Sequence, residues 1–291
     1  MVVSPRWLLS AFALTVLIAA VCGYATLCLL FYQGQWQLLF HPVRSIAARP
    51  AVRFDDLRFD VDENGHPRLD GWYIPADSGS QYVTDTVLYL HDARGSLSDC
   101  VPVLTTLHSL GINVFAFDYR GFGVSDGAHP NERLATEDSI AAWTRLTDTR
   151  HIPPSHLVVL GEGVGAVFAA RIAAQFAPAG VILEDPSPAA RQIFGTDARA
   201  RILPLWLLQN QKLDPAADLA AAHVPRLFLE VHGKPIVGPM GSESTRTRSL
   251  FEASSYPKQY VDLRALSDSG PDSAFAKMLR RFFDDTLPQS P

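Results

Sequence analysis

Cysteine is scarce in this chain, basic residues never gather into a dense cluster, and no histidine follows His232. Of the three cysteines, Cys22 and Cys28 sit in an apolar N-terminal run and Cys100 stands by itself, which argues against a disulfide-stapled secreted fold. A formal net charge of −5 without a Lys/Arg cluster argues against nucleic acid as the main partner. His151 and His156 have neither a cysteine nor a paired carboxylate beside them, so no metal-ligand spacing is seen and no cofactor is implied. Internal repeats and low-complexity segments are missing too.

What the chain has is apolar material. Hydrophobic residues make up 47 % of its 291 residues, enough core for one large α/β domain or two small ones. The longest run, Trp7 to Tyr32, carries no charge. As a helix it would be about 39 Å long, against roughly 30 Å of bilayer hydrocarbon. A cleaved signal peptide has a shorter apolar stretch and then a small-residue cleavage site. Here Gln33-Gly34-Gln35-Trp36-Gln37 follows instead and reads as an amphipathic interfacial segment. Cys22 makes a poor lipid-attachment site because bulky Val21 precedes it. Residues 7–32 are therefore expected to be an uncleaved, single-pass anchor in the lipid bilayer, after a tail of residues 1–6. Arg6 and the amino terminus nearly balance Arg44 and Arg49, with a lean toward a soluble domain outside the cytoplasm.

Pro42 to Pro50 lacks apolar periodicity, so residues 33–51 are expected to be interfacial segment and linker, leading to a domain over 52–291. Arg53 to Val61 and Leu69 to Ile74 alternate apolar and polar residues, as two antiparallel strands joined at Glu63-Asn64-Gly65 would. The pattern then changes to buried strands separated by helices. Strands are expected at Thr86–Leu90, Ile112–Phe117, Leu157–Leu160, Gly180–Leu183, Arg226–Val231 and Gln259–Leu263. Helices are expected at Leu97–Leu110, Glu132–Thr147, Gly165–Phe176, Ser242–Ala253 and Ser273–Phe283. This alternation means a mostly parallel sheet covered on both faces. The stretch 186–215 breaks the rhythm and reads as a cap-like insertion above the sheet.

The apolar run Leu157–Leu160 leads into Gly161-Glu162-Gly163-Val164-Gly165. A strand turning sharply into a helix here would form a nucleophile elbow, lifting its third residue above the sheet, where G-x-S-x-G carries serine. The third residue is Gly163, which has no side chain to attack with.

Four landmarks resemble the α/β-hydrolase superfamily, in particular its membrane-anchored bacterial esterase/peptidase-like members. They are His91-Asp92-Ala93-Arg94-Gly95, which resembles a His-Gly oxyanion loop; Asp118-Tyr119-Arg120-Gly121-Phe122-Gly123-Val124-Ser125-Asp126-Gly127, close to D-Y-R-G-x-G-x-S-x-G; the elbow; and Val231-His232-Gly233. The resemblance runs from the anchor and Leu39-Phe40-His41-Pro42 to the last helix. It implies an α/β-hydrolase fold, with a mostly parallel central sheet and helices on both faces.

It also implies where a Ser, an acid and a His should stand, in that chain order. The serine position is Gly163. The acid position, in Lys234-Pro235-Ile236-Val237-Gly238-Pro239, falls near Ile236. The base loop, Ala265-Leu266-Ser267-Asp268-Ser269-Gly270-Pro271, holds no histidine, and none occurs anywhere after His232. No residue is therefore assigned as catalytic. What remains is a pocket of His91, Asp92, Ala93, Glu162, Gly163 and Val164, in which the amides of Ala93 and Val164 could bind an acyl or carboxylate ligand.

The other chemistry-bearing residues read as structural. Glu162 should point aside from the elbow, His91 should bond backbone in its loop, and Asp118, Arg120 and Asp126 should shape that loop. Glu184-Asp185 should anchor a strand end, Ser267 and Ser269 should be turn residues, and Cys100, beside Asp99, should be inert. The expectation is a membrane-anchored hydrolase-like pseudoenzyme with a degenerate triad, binding a ligand or protein partner. The alternatives are an active ester or amide hydrolase built on His91, Asp92 and Glu184 or Asp185, and a scaffold with no ligand.

Overall fold

In the computed structural model the residues described are 4–231, 242–263 and 273–288, without the side chains of 199, 200 and 242–245. The chain begins with helix α1 (Pro5–Gly34), started by Ser4, whose hydroxyl accepts from the Trp7 amide. Its side chains face outward, Phe31 being the buried one, and it is long and apolar enough to cross a membrane. A single 3₁₀ turn, Gln35–Leu38, follows, and then β1 (His41–Pro42).

This segment departs from the expected interfacial stretch and linker. Gln35, Leu39 and Phe40 are buried, the last two within the main core. The Gln35 amide donates to the Tyr32 and Leu208 carbonyls, and its side-chain oxygen accepts from the Asn210 amide. β1 pairs in parallel with β5 (Arg94–Gly95), which ties the segment after α1 to the loop after the central strand. The polar letters at 33–37 suit water, and Gln33 and Gln37 are exposed; Gln35 is buried by partners some 170 residues away.

β2 (Asp55–Val61) and β3 (Pro67–Ile74) form the expected antiparallel pair. β4 (Tyr82–Leu90), α2 (Leu97–Ser109), β6 (Ile112–Asp118), α3 (Glu132–Thr144), β7 (Leu157–Glu162), α4 (Gly165–Phe176) and β8 (Gly180–Glu184) then alternate. The insertion contributes α5 (Ala190–Thr196) and α6 (Leu205–Leu208), and α7 (Ala216–Ala221) follows it. β9 (Arg226–Val231), α8 (Ser242–Ala253), β10 (Lys258–Leu263) and α9 (Ala274–Thr286) close the chain. Eight strands form one sheet in the order β10-β9-β8-β7-β4-β6-β3-β2, with the β2–β3 and β3–β6 pairings antiparallel and the others parallel.

Because successive strand residues face opposite sides, the sheet serves two cores. Leu88, Leu90, Val159 and Val181 pack with α4 and α7 on one side; Val87, Tyr89, Val158 and Ile182 pack with α2 and α9 on the other. Caps fix the helix starts: Asp99 accepts from the Ser96 amide ahead of α2, and Asn131 accepts from Leu134 in α3. From β4 the chain moves outward to β6, then returns to β7 on the other flank. The carboxyl ends of β4 and β7 therefore meet at the switch point, where open α/β sheets place their ligand crevice.

Candidate functional site

At that switch point Leu90 of β4 pairs with Gly161 of β7. Two residues beyond each partner stand Asp92 and Gly163, so the register sets the loop carboxylate beside the elbow. Gly163 takes φ +57°, a left-handed conformation suited to a sharp strand-to-helix turn. Its neighbours are glycines for packing: a Cβ on Gly161 would lie 2.6 Å from Ala166 Cα, and one on Gly165 would lie 2.7 Å from the His91 carbonyl oxygen. The turn of a nucleophile elbow is thus kept in full, held by Gly163 N–H donating to Glu184 O at 2.9 Å and Ser187 N–H donating to Gly163 O at 3.0 Å.

The space a nucleophile would use is filled. A Cβ on Gly163 would stand 2.5 Å from Asp92 Cγ and 3.0 Å from Asp92 Cβ, well inside the ~3.5–4.0 Å of carbon–carbon contact. Asp92 Oδ1 accepts the Val164 amide at 2.9 Å. One of the two amides expected to form an oxyanion pocket, that of Val164, is therefore satisfied from within the chain. Burial raises the Asp92 pKa, with the two amides opposing it.

His91 faces away from the elbow. It is buried at 1 % exposure, packed against Tyr119 and Phe122 at centroid distances of 4.5 and 5.2 Å. Its Nδ1 lies 2.6 Å from the Asp92 carbonyl oxygen. A carbonyl only accepts, so Nδ1 carries the proton. Nε2 then looks at Asp118 Oδ1 across 3.6 Å, too far for a hydrogen bond. Burial pushes the imidazole down to about 4 and Asp118 up to about 7.

The remaining candidates hold the frame. Asp118 accepts the Leu97 amide at 2.9 Å, and its carbonyl accepts the Ser125 hydroxyl at 2.6 Å. Arg120 pairs with buried Asp138 at 2.5 Å and with Glu137 at 2.9 Å, clamping the loop after β6 onto α3. The Asp126 amide donates to Arg68 O. Glu162 points aside to the Tyr89 hydroxyl, and Asp185 accepts the Val231 amide at 2.9 Å, stitching β8 to β9. Cys100 is buried, which raises its thiol pKa well above the usual range. His156 pairs with Asp85 at 2.7 Å, at the amino end of the sheet, far from the elbow. His232, Ile236, Ser267 and Ser269 lie outside the described residues.

The sequence reading placed Asp92 in the pocket but missed its role. The signal was present: a side chain stands where the resembling loop has glycine, and glycine stands where the elbow has a side chain.

Comparisons agree with this architecture. Residues 81–229 match the family model described as "Serine aminopeptidase, S33" (Hydrolase_4). An uncharacterized protein of Mycobacterium tuberculosis is 29 % identical over 230 residues, 78 % of each chain. Alpha/beta hydrolase domain-containing protein 17C of Xenopus tropicalis is 29 % identical over 128 residues, 44 % of this chain and 40 % of that one. Among solved structures, an esterase of Pyrococcus furiosus superposes with a TM-score of 0.64 at 18 % identity, covering 86 % of this chain and 98 % of that chain. An alpha-beta hydrolase from Vibrio vulnificus gives a TM-score of 0.59 at 21 % identity, over 80 % and 79 % of the two chains. With its elbow at the switch point of the sheet and this match over half its length, the chain belongs to the Hydrolase_4 (serine aminopeptidase S33) family of the α/β-hydrolase superfamily.

Proposed function

We propose that this chain is a membrane-anchored α/β-hydrolase-fold pseudoenzyme, held in the bilayer by residues 7–32 with its domain over 52–291 outside the cytoplasm. It works by binding rather than by serine-type hydrolysis. One observation carries the reading: the Asp92 carboxylate occupies the space above Gly163 and takes up the Val164 amide. Serine-type acyl transfer needs a hydroxyl at the elbow, a base to deprotonate it and free amides to receive the oxyanion. Here the hydroxyl is missing, no imidazole follows His232, and the Val164 amide is engaged by Asp92. An acyl or carboxylate ligand would have to displace Asp92, which favours a protein partner on the domain surface.

The active-hydrolase alternative built on His91 has against it the direction of the ring, its burial and its low pKa. The discriminating experiment treats purified full-length protein with a fluorophosphonate probe and with a panel of ester, amide and thioester substrates. The expected result is that no serine is labelled and no substrate is turned over. Labelling at a single serine, or turnover abolished by His91→Ala, overturns the proposal.

A further inference from the structure

The insertion after β8 runs beside α1. The Tyr24 hydroxyl of α1 donates to the Ile202 carbonyl at 2.8 Å, Phe31 meets Phe194 edge-on at 5.5 Å, and Gln35 bonds Leu208 and Asn210. From Tyr24 to Gln35 is eleven residues of sequence, so the two segments stay together for about three turns, or ~16 Å. A cleft of about 200 Å³ lies between them, lined by Leu27, Leu30, Phe31 and Leu203 among others. On its outer side the insertion exposes Ile202 at 60 %, Trp206 at 86 % and Leu207 at 65 %.

These three side chains have no partner surface among the described residues, and α1 says what covers them. A hydrocarbon core of roughly 30 Å takes about 20 helical residues. Every stretch of that length within the uncharged run Trp7–Tyr32 includes Tyr24. Ile202, bonded to Tyr24, is thereby held at or below the boundary of the hydrocarbon. We propose that the insertion dips into the same leaflet as α1, with Ile202, Trp206 and Leu207 seated among the acyl chains. The occupant of the apolar face is the lipid bilayer.

The depth is limited by the insertion's own backbone. Irregular turns in lipid leave polar groups unmet, so the segment lies at the headgroup–acyl boundary, about 5–10 Å in. Tryptophan favours that level. The segment from Ala189 to Leu208 carries Arg191, Arg199 and Arg201 against a lone Asp197, in a chain whose net charge is −5. This local positive balance suits anionic headgroups.

The inference rests on α1 being a membrane span, and the test separates the two. In full-length protein with Cys22→Ala and Cys28→Ala, where the remaining Cys100 is buried, one exposed cysteine at a time is introduced by Leu207→Cys, by Leu17→Cys in α1, and by Val61→Cys on β2; the protein without an added cysteine serves as the labelling blank. Each is labelled with bimane and reconstituted into phosphatidylcholine/phosphatidylglycerol vesicles. Doxyl-labelled lipid is expected to quench the probes at 207 and 17 at least twofold and to leave the probe at 61 unchanged, while aqueous iodide does the reverse. Quenching at 17 but not at 207 overturns the inference and leaves the anchor standing. Quenching at neither overturns both. A probe at 207 that stays unquenched and cross-links to a second copy on oxidation replaces lipid with self-association and also overturns it. As a check free of new cysteines, brominated lipid should quench the native tryptophan emission less in Trp206→Phe than in the unaltered chain; equal quenching counts against the inference.

Discussion

Asp92 and Gly163, seventy-one residues apart in sequence, share one small volume: the carboxylate of the first stands where the side chain of the second would be. Gly163→Ser should therefore be destabilising by itself, through collision with Asp92 and through the left-handed backbone, at roughly 1–3 kcal/mol. Adding Asp92→Gly should return part of that loss. A double-mutant cycle by denaturant unfolding is expected to give a coupling of about 0.5–3 kcal/mol. Additive effects of the two changes would show that the side chains do not compete.

Even the double variant Asp92→Gly, Gly163→Ser should stay unreactive to fluorophosphonate. It recovers a hydroxyl and frees the Val164 amide, yet gains no imidazole to activate the hydroxyl. Single-serine labelling at position 163, read by mass spectrometry, would show that some other group serves as the base.

The buried His91–Asp118 contact should give stability a pH signature of two opposing parts. His91 has its pKa lowered to about 4 from 6.5, so between those values the unfolded chain takes up a proton that the folded chain refuses. Stability from this group is complete above pH 6.5 and declines as pH falls toward 4, by about 3 kcal/mol in all. Asp118 has its pKa raised to about 7 from 3.8, so the folded chain keeps a proton there and stability declines as pH rises through that range. Thermal melts from pH 4 to 8 should show that His91→Asn removes the first slope and Asp118→Asn the second. Unchanged slopes in both variants would place the titration elsewhere.

Breaking the Arg120–Asp138 pair should be among the costliest polar substitutions. Asp138 is fully buried and Arg120 nearly so. Asp138→Ala leaves the buried guanidinium with only the half-exposed Glu137 as counter-charge and should cost about 3–5 kcal/mol, whereas the apolar replacement Arg120→Met, Asp138→Leu should cost much less. Chemical denaturation of the single and double variants decides it; a double variant as unstable as Asp138→Ala would deny that the stranded charge is the cause.

The sheet was legible in the sequence because β6 to β9 are fully buried runs whose composition admits few other readings. Edges were harder. β4 begins at Tyr82 rather than Thr86 because its first residues, Thr84 and Asp85 among them, are polar, and a register shift interrupts its pairing with β6 there. Helix α3 gives way after Thr144 to a π-turn at Arg145–Thr149, which no local pattern announces. The burial of Gln35 and the β1–β5 pairing depend on partners remote in sequence, beyond the reach of periodicity. At the candidate site, the vacancy at Gly163 could be read from the motif. Its occupation by Asp92 was signalled by the exchanged glycine and carboxylate, but joining the two positions needs the β4–β7 register.

The reciprocal placement of glycine and carboxylate has a consequence for any return to hydrolysis by single steps. A serine arriving first meets a wall, and a glycine arriving first in the loop leaves a hole beside a mute turn. On the proposed reading both intermediates are less stable than the present pairing, which then acts as a ratchet against gaining that chemistry one step at a time.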